Sequence, residues 1–397
     1  MQQILTYTFL VLYTVTILSI ALVIITDNRN PLKTLPWIIV LVFAPVVGLL
    51  FYFFFGQNLS KRRIISRRTR RRITMQLEEA RDAGHPGIPE EHRQLATLLY
   101  STTHSVPLYG SRITPYTDGV SKMEALLAEI ARAKRHIHIQ YYIFCDDETG
   151  CRLRDALVEK ARQGVEVRIL YDDVGCSGVK KAFFEGMRRE GIEVFSFLHV
   201  KFPLFTSKVN YRNHRKILVV DGHIGFTGGI NIAQRYLTGT KMGPWRDTHL
   251  KLEGEAVRML QIVFMTDWYF VSKQQLTDHA KYLPPTTVRD ECLVQIATSG
   301  PDSDWASIMQ AFFAAITRAQ HHIYISSPYF TPNEAVLTAI KVAALSGIDV
   351  RIMIPSRSDS KIVYWASRSY IGELIDANVK VYLYRKGFNH SKLIMID

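Results

Sequence analysis

Two short stretches of this sequence carry the same reactive residues at the same spacing. Asn213-His214-Arg215-Lys216-Ile217-Leu218-Val219-Val220-Asp221 and Asn389-His390-Ser391-Lys392-Leu393-Ile394-Met395-Ile396-Asp397 both read N-H-x-K, then four apolar residues, then Asp. In extended backbone successive side chains alternate between faces, so each His projects together with the Lys two residues on. A neutral imidazole can attack and a protonated one can release a leaving group, and an ordinary pKa of about 6.5 allows both forms near neutral pH. The lysines supply fixed positive charge for the non-bridging oxygens of a phosphate. The set suits phosphoester exchange through a covalent phosphohistidine. The sequence has no clustered Asp/Glu or His/Cys metal spacing and no G-x4-G-K-S/T loop, so the expected chemistry uses no metal, no nucleotide and no other cofactor.

The elements that must position these residues form an internal repeat. The first pass has an apolar helical stretch, Val120 to Arg135, then a strand-like run His136 to Phe144 (HIHIQYYIF). The second has Ile308 to Gln320, then His322 to Phe330 (HIYISSPYF). Each continues through a helix to a glycine and a buried-type strand, GVEVRIL from Gly164 and GIDVRIM from Gly347. After another helix come Gly191 to Phe197 and Asn378 to Tyr384, and then the motif. Strands separated by helices of this length imply crossover units, an α/β fold with a mixed, largely parallel sheet and helices on both faces. Residues 110–275 form the first expected repeat and 285–397 the second, so His214 and His390 would meet in one cleft across a pseudo-twofold. The histidines at 136, 138, 321 and 322 begin strands and are read as structural or surface residues.

The paired H-x-K-x4-D motifs resemble those of the phospholipase D superfamily, and Gly228-Gly229-Ile230-Asn231 is similar to that family's Gly-Ser/Gly-x-Asn. The likeness extends to bacterial cardiolipin synthases through Phe55-Gly56-Gln57-Asn58-Leu59, Gln140 to Phe144, the stretch Tyr211 to Tyr236, and Gly243-Pro244-Trp245-Arg246-Asp247. The resemblance implies that His214 and His390 are nucleophile and general acid, with His214 favoured as nucleophile. It implies that Lys216, Lys392 and Asn231 hold the phosphate. Asp247 is the candidate for the carboxylate that orients an imidazole. Asp221 and Asp397 complete the motifs and are counted with the catalytic set; Asp221 could orient the imidazole instead of Asp247 or simply cap its turn, and the structural role is favoured. The implied reaction joins two phosphatidylglycerol molecules into cardiolipin and frees glycerol. Hydrolysis by water, transfer to another alcohol such as serine, and lipid binding without turnover are the alternatives.

The N-terminus bears on where such chemistry occurs. Ile4 to Thr26 and Trp37 to Phe55 are apolar runs joined by a polar turn, DNRNPLKTLP. At about 1.5 Å per residue, each run is near the length needed to cross the roughly 30 Å of a hydrocarbon core, which predicts a transmembrane hairpin over 1–58. A cleaved signal peptide fits poorly, because the first run is long and a second follows it directly. Residues 59–109 form a basic juxtamembrane linker whose Lys61 to Arg72 segment holds eight basic residues and no acid, much of the chain's net +13. Beside a span, such a run sets topology and meets anionic lipid rather than nucleic acid. The expectation is a multi-pass bacterial inner-membrane protein with its catalytic part in the cytoplasm and oligomeric state left open. The four cysteines form no C-x-x-C pair and predict neither a disulfide framework nor a zinc site. Lys201 to Arg212 (KFPLFTSKVNYR) reads equally as a membrane-dipping lip or a partly buried loop. The second repeat stops at the last residue of its motif, so the expectation is an incomplete half with a fraying terminal strand.

Overall fold

The computed structural model describes residues 1–26, 31–44, 48, 51, 87–197, 212–300 and 303–397. The N-terminal helices Gln2–Thr26 and Pro31–Phe43 belong to one compact unit, and both sheets belong to another. The expected hairpin falls partly outside the described residues. Among those described, no helix is long and apolar enough to cross a membrane. The basic run Lys61 to Arg72 and the segment Lys201 to Tyr211 also lie outside them.

The first sheet contains β1 (Leu108–Tyr116), β2 (His136–Tyr141), β3 (Glu166–Asp172), β4 (Glu193–Phe197), β5 (Ile217–Val220) and β6 (Ile224–Gly228). A short β7 (Trp245–Arg246) stands apart, and β8 (His249–Gly254) and β9 (Cys292–Val294) complete this sheet in the order β4-β3-β2-β5-β6-β8-β1-β9. Strands β2, β3 and β4 are parallel, while β5 turns antiparallel against β2. β9 precedes the second repeat's helices but pairs with β1, so residues inside the expected 285–397 segment finish the first sheet.

The strands alternate as a sheet covered on both faces requires. Leu218 and Val220 point into a core with Leu126, Ile137 and Leu157, under the helices Gly119–Arg132 and Glu148–Arg162. Ile217 and Val219 point the other way, against Val257 and Leu260 of the helix Glu255–Ser272. Asp118 and Asp147 accept hydrogen bonds from the Ser121 and Gly150 amides and so cap the first two helices. Gly164 and Gly347 follow equivalent helices with φ of 86° and 93°, the left-handed conformation that glycine adopts without strain and that turns the chain into the next strand.

The second sheet holds β10 (His322–Ser326), β11 (Asp349–Pro355) and β12 (Lys380–Tyr384). A two-residue β13 (Phe388–Asn389) pairs with β7, and β14 (Leu393–Ile396) pairs with β10. Its order β12-β11-β10-β14 repeats β4-β3-β2-β5. Register repeats too: Ile137 faces Val220 and Ile323 faces Ile396. Among the described residues β14 stands last in this order, and its end is held to the start of β10. The Asp397 carboxylate accepts from the amides of Gln320, His321 and His322 at 2.7, 2.8 and 2.9 Å.

Candidate active site

Each motif histidine stands just before its strand, the buried β5 or the half-exposed β14. Asn213 fixes the first approach: its amide N–H donates to Asp172 at 2.9 Å and its side chain donates to Asp267 at 3.0 Å. Asp267 also accepts from Arg215 at 2.6 Å and from Gln140. Asn389 does the equivalent work for the second motif by donating to Ser326 Oγ at 2.9 Å. Sequence reading noted these asparagines but missed Asp172 and Asp267, which lie far from the motif in the chain and carry no spacing signal.

The second motif is bound to the segment that follows the first. β13 runs parallel to β7, pairing Phe388 with Trp245 and Asn389 with Arg246. The ladder continues as the His390 N–H donates to the Arg246 carbonyl at 2.7 Å. Arg246 donates to Ser391 Oγ at 2.7 Å, and Thr248 Oγ1 lies 3.2 Å from that hydroxyl. This pairing delivers Asp247 to His390, with Oδ2 2.6 Å from Nδ1. The other carboxylate oxygen accepts from the Thr248 amide at 2.7 Å. Gly229 makes room for it, because a Cβ there would lie 2.0 Å from Asp247 Oδ1. The rings of Tyr236, Trp245, Tyr329 and Phe388 surround His390 with centroids 5.6 to 5.8 Å away.

His214 has different neighbours. The Tyr142 ring lies 4.4 Å from it, and Lys216 Nζ sits 3.1 Å from its Nδ1 while donating to its carbonyl at 2.8 Å. Among the described residues no carboxylate is bonded to His214. Lys392 folds in the same way, 2.7 Å from His390 Nδ1, bonded to the His390 carbonyl and 3.7 Å from Asp247. Asn231 is buried, with Oδ1 accepting from the Ile143 amide at 3.2 Å and Nδ2 donating to Tyr236 Oη at 2.6 Å. A primary amide has two N–H donors, so one is left for a ligand.

Burial and charge divide the two imidazoles. Burial, then Lys216, Lys392 and His390, push His214 down to about 3, so it is neutral at physiological pH. Burial also lowers His390, but Asp247 pulls the other way and favours its charged form. Burial lowers Lys216 to about 7, with Lys392 adding repulsion, and lowers Lys392 to about 8 against the attraction of Asp247. An entering phosphate anion would restore the charge on both lysines.

Comparison with known proteins gives this constellation its context. Residues 126–241 and 312–397 match the family described as "Cardiolipin synthase, PLD-like domain". The chain belongs to that family. Residues 11–57 match a second family, "Phospholipase_D-nuclease N-terminal". The chain is 43% identical to the cardiolipin synthase of Geobacillus kaustophilus, over 98% of its own length and 79% of the relative's. It is 39% identical to the major cardiolipin synthase of Bacillus subtilis, over 96% of this chain and 81% of that one. Among solved structures, a phosphatidylserine synthase from Haemophilus influenzae shares the fold at a TM-score of 0.56 and 13% identity, covering 78% of this chain and 81% of that one.

Asp221 and Asp397, counted with the catalytic motifs from the sequence, lie beyond the far ends of β5 and β14 from the histidines. Their carboxylates are engaged elsewhere. Asp221 accepts from the amides of Lys134, Arg135 and His136 at 2.8 to 2.9 Å, as Asp397 does from its equivalents. Both residues have positive φ, 52° and 56°, which Asp tolerates better than most residues. They pin the start of the neighbouring strand and touch no reacting atom. All four cysteines are free.

Proposed function

We propose that this chain transfers a phosphatidyl group between two phosphatidylglycerol molecules, giving cardiolipin and glycerol. His214 attacks phosphorus, forming a P–N bond as the P–O bond to the glycerol headgroup breaks, and His390 gives its proton to the departing glycerol oxygen. In the second half His390 takes the proton from the free primary hydroxyl of another phosphatidylglycerol. That oxygen bonds to phosphorus as the P–N bond breaks. One phosphodiester replaces another, so no energy-rich cofactor is consumed. Lys216, Lys392 and the remaining Asn231 donor hold the non-bridging oxygens.

The observation that carries the assignment of roles is the carboxylate beside His390. Asp247 lies 2.6 Å from His390 and favours the protonated acid, whereas His214 is held neutral by burial and cations. The membrane setting belongs to the same reading: a hairpin within 1–58, a basic juxtamembrane segment and a cytoplasm-facing catalytic part, made of repeats 110–275 and 285–397. The test is to supply labelled phosphatidylglycerol to the protein in vesicles and identify the products. Cardiolipin with an equal amount of glycerol is expected, unaffected by EDTA because lysines neutralise the phosphate. Phosphatidic acid as the main product, or loss of turnover on chelation with recovery on adding one divalent ion, would replace the reading with a hydrolase or a metal enzyme.

A further inference from the structure

An enzyme acting on a bilayer lipid must meet the membrane close to its reacting atoms, since the acyl chains stay in the hydrocarbon while the phosphate reaches the histidines. One exposed element is tied to the site in this way. The Tyr329 ring lies 5.7 Å from His390, and its hydroxyl donates to Asp359 Oδ2 at 2.8 Å. Asp359 directly precedes Ser360, the N-cap of the helix Lys361–Ser369. On that helix Ile362 and Trp365, three residues apart and so on one face, are 83% and 70% exposed. Arg357 and Lys361 are exposed beside them, and no acidic residue occurs from Ser360 to Gly372.

The first half shows that this is not what the repeat itself requires. Between β3 and β4 it has a single helix, Lys181–Arg189, whose Phe183 and Phe184 are buried. Between β11 and β12 the second half has two helices, Lys361–Ser369 and Ile371–Asp376. The turns into β4 and β12, where the Ile192 and Val379 amides donate to the Met187 and Leu374 carbonyls, match Lys181–Arg189 with Ile371–Asp376, so Lys361–Ser369, with Ile362 and Trp365 turned outward, has no counterpart in the first half.

Building on the lipid-substrate reading, we propose that the helix Lys361–Ser369 docks the second half of the site onto an anionic phospholipid bilayer. Ile362 and Trp365 enter the headgroup region, and Arg357 and Lys361 face lipid phosphates. A bilayer fits this surface better than a protein groove, because two large apolar side chains flanked by cations match an interface that is anionic outside and apolar beneath.

Two measurements on the full chain reconstituted in vesicles test this. Tryptophan fluorescence is quenched with phosphatidylglycerol brominated on its acyl chains, comparing the parent with Trp365→Phe. The variant is expected to lose part of the quenching, with a smaller difference when the brominated lipid is phosphatidylcholine. Identical quenching would overturn the proposal and leave a second copy or a protein as the occupant. Ile362→Ser/Trp365→Ser is then assayed on vesicle-borne and on monomeric short-chain phosphatidylglycerol. A loss of about tenfold on vesicles only is expected, and equal loss on both would make the helix a structural support instead. If the parent turns over neither lipid, the substrate reading fails while the quenching still decides the docking.

Discussion

Strands β5 and β14 carry the same motif into equivalent sheets, yet their surroundings differ. β5 is flanked by β6, and the face bearing Leu170, Phe195 and Val219 lies under the helix Glu255–Ser272. The equivalents by register are Met353, Tyr382 and Met395, which are 38%, 46% and 55% exposed. The histidines reverse this inequality. His214, in the well-covered half, has no carboxylate among the described residues, whereas His390 receives Asp247 from the segment that follows the first motif. The histidine of the second motif therefore takes its carboxylate from the first half. The segment after the first motif serves the histidine of the second, so the pairing of the halves is a chemical requirement as well as a packing arrangement.

The strongest way to break this comparison is to remove each histidine. His214→Ala and His390→Ala should both lower phosphatidylglycerol turnover by about 10^4-fold or more. They should part company on a phosphatidyl ester with an acidic leaving group, which needs no general acid. His390→Ala is expected to form the lipid-linked enzyme in a single turnover, and His214→Ala is not. The reverse pattern would exchange the two roles.

Asp247→Asn comes next, with an expected loss of about 10^3-fold, in line with removing the carboxylate partner of other catalytic histidines. It should leave single-turnover labelling with the activated ester within about tenfold of the parent. Comparable losses in both assays would mean that Asp247 supports His214 as well.

A smaller effect is expected from pH. With lysine pKa values near 7 and 8 in the free protein, kcat/KM should fall as pH rises through about 7 to 8, because a neutral amine no longer attracts the phosphate. His214, neutral above about 3, adds no acidic limb in the physiological range. Lys392→Arg should remove the upper part of the alkaline fall, near 8, and leave the part due to Lys216, even if it lowers the maximum. An unchanged alkaline limb in that variant would locate the titrating group elsewhere.

The smallest effect on turnover belongs to the motif aspartates. Asp221→Ala removes three charge-assisted hydrogen bonds to amides and should cost about 2 kcal/mol in denaturant unfolding, with kcat within about twofold. Asp397→Ala should cost under about 1 kcal/mol, since its carboxylate is solvent-screened. The Asp397 contribution is present above its unfolded pKa of about 3.9 and is lost as pH falls through about 2, because backbone amides hold the folded pKa down. A large loss of kcat in Asp221→Ala at matched folding would return it to the catalytic set.

The sequence by itself determined the repeat, the parallel strand order within each half, and the His/Lys pairs, because strand periodicity places His and Lys on one face in any fold that buries the four apolar residues behind them. It also singled out Asp247. Only the tertiary structure decided which histidine Asp247 meets, since that depends on β7 pairing with β13 across 143 residues of chain. It likewise decided between catalysis and capping for Asp221, and reassigned Asp397, since both carboxylates lie among backbone amides. Asp172, Asp267 and the outward helix Lys361–Ser369 were not legible, because contacts between distant segments leave no local pattern. Side-chain type and spacing encode what a residue can do, and the partner that long-range pairing supplies decides what it does.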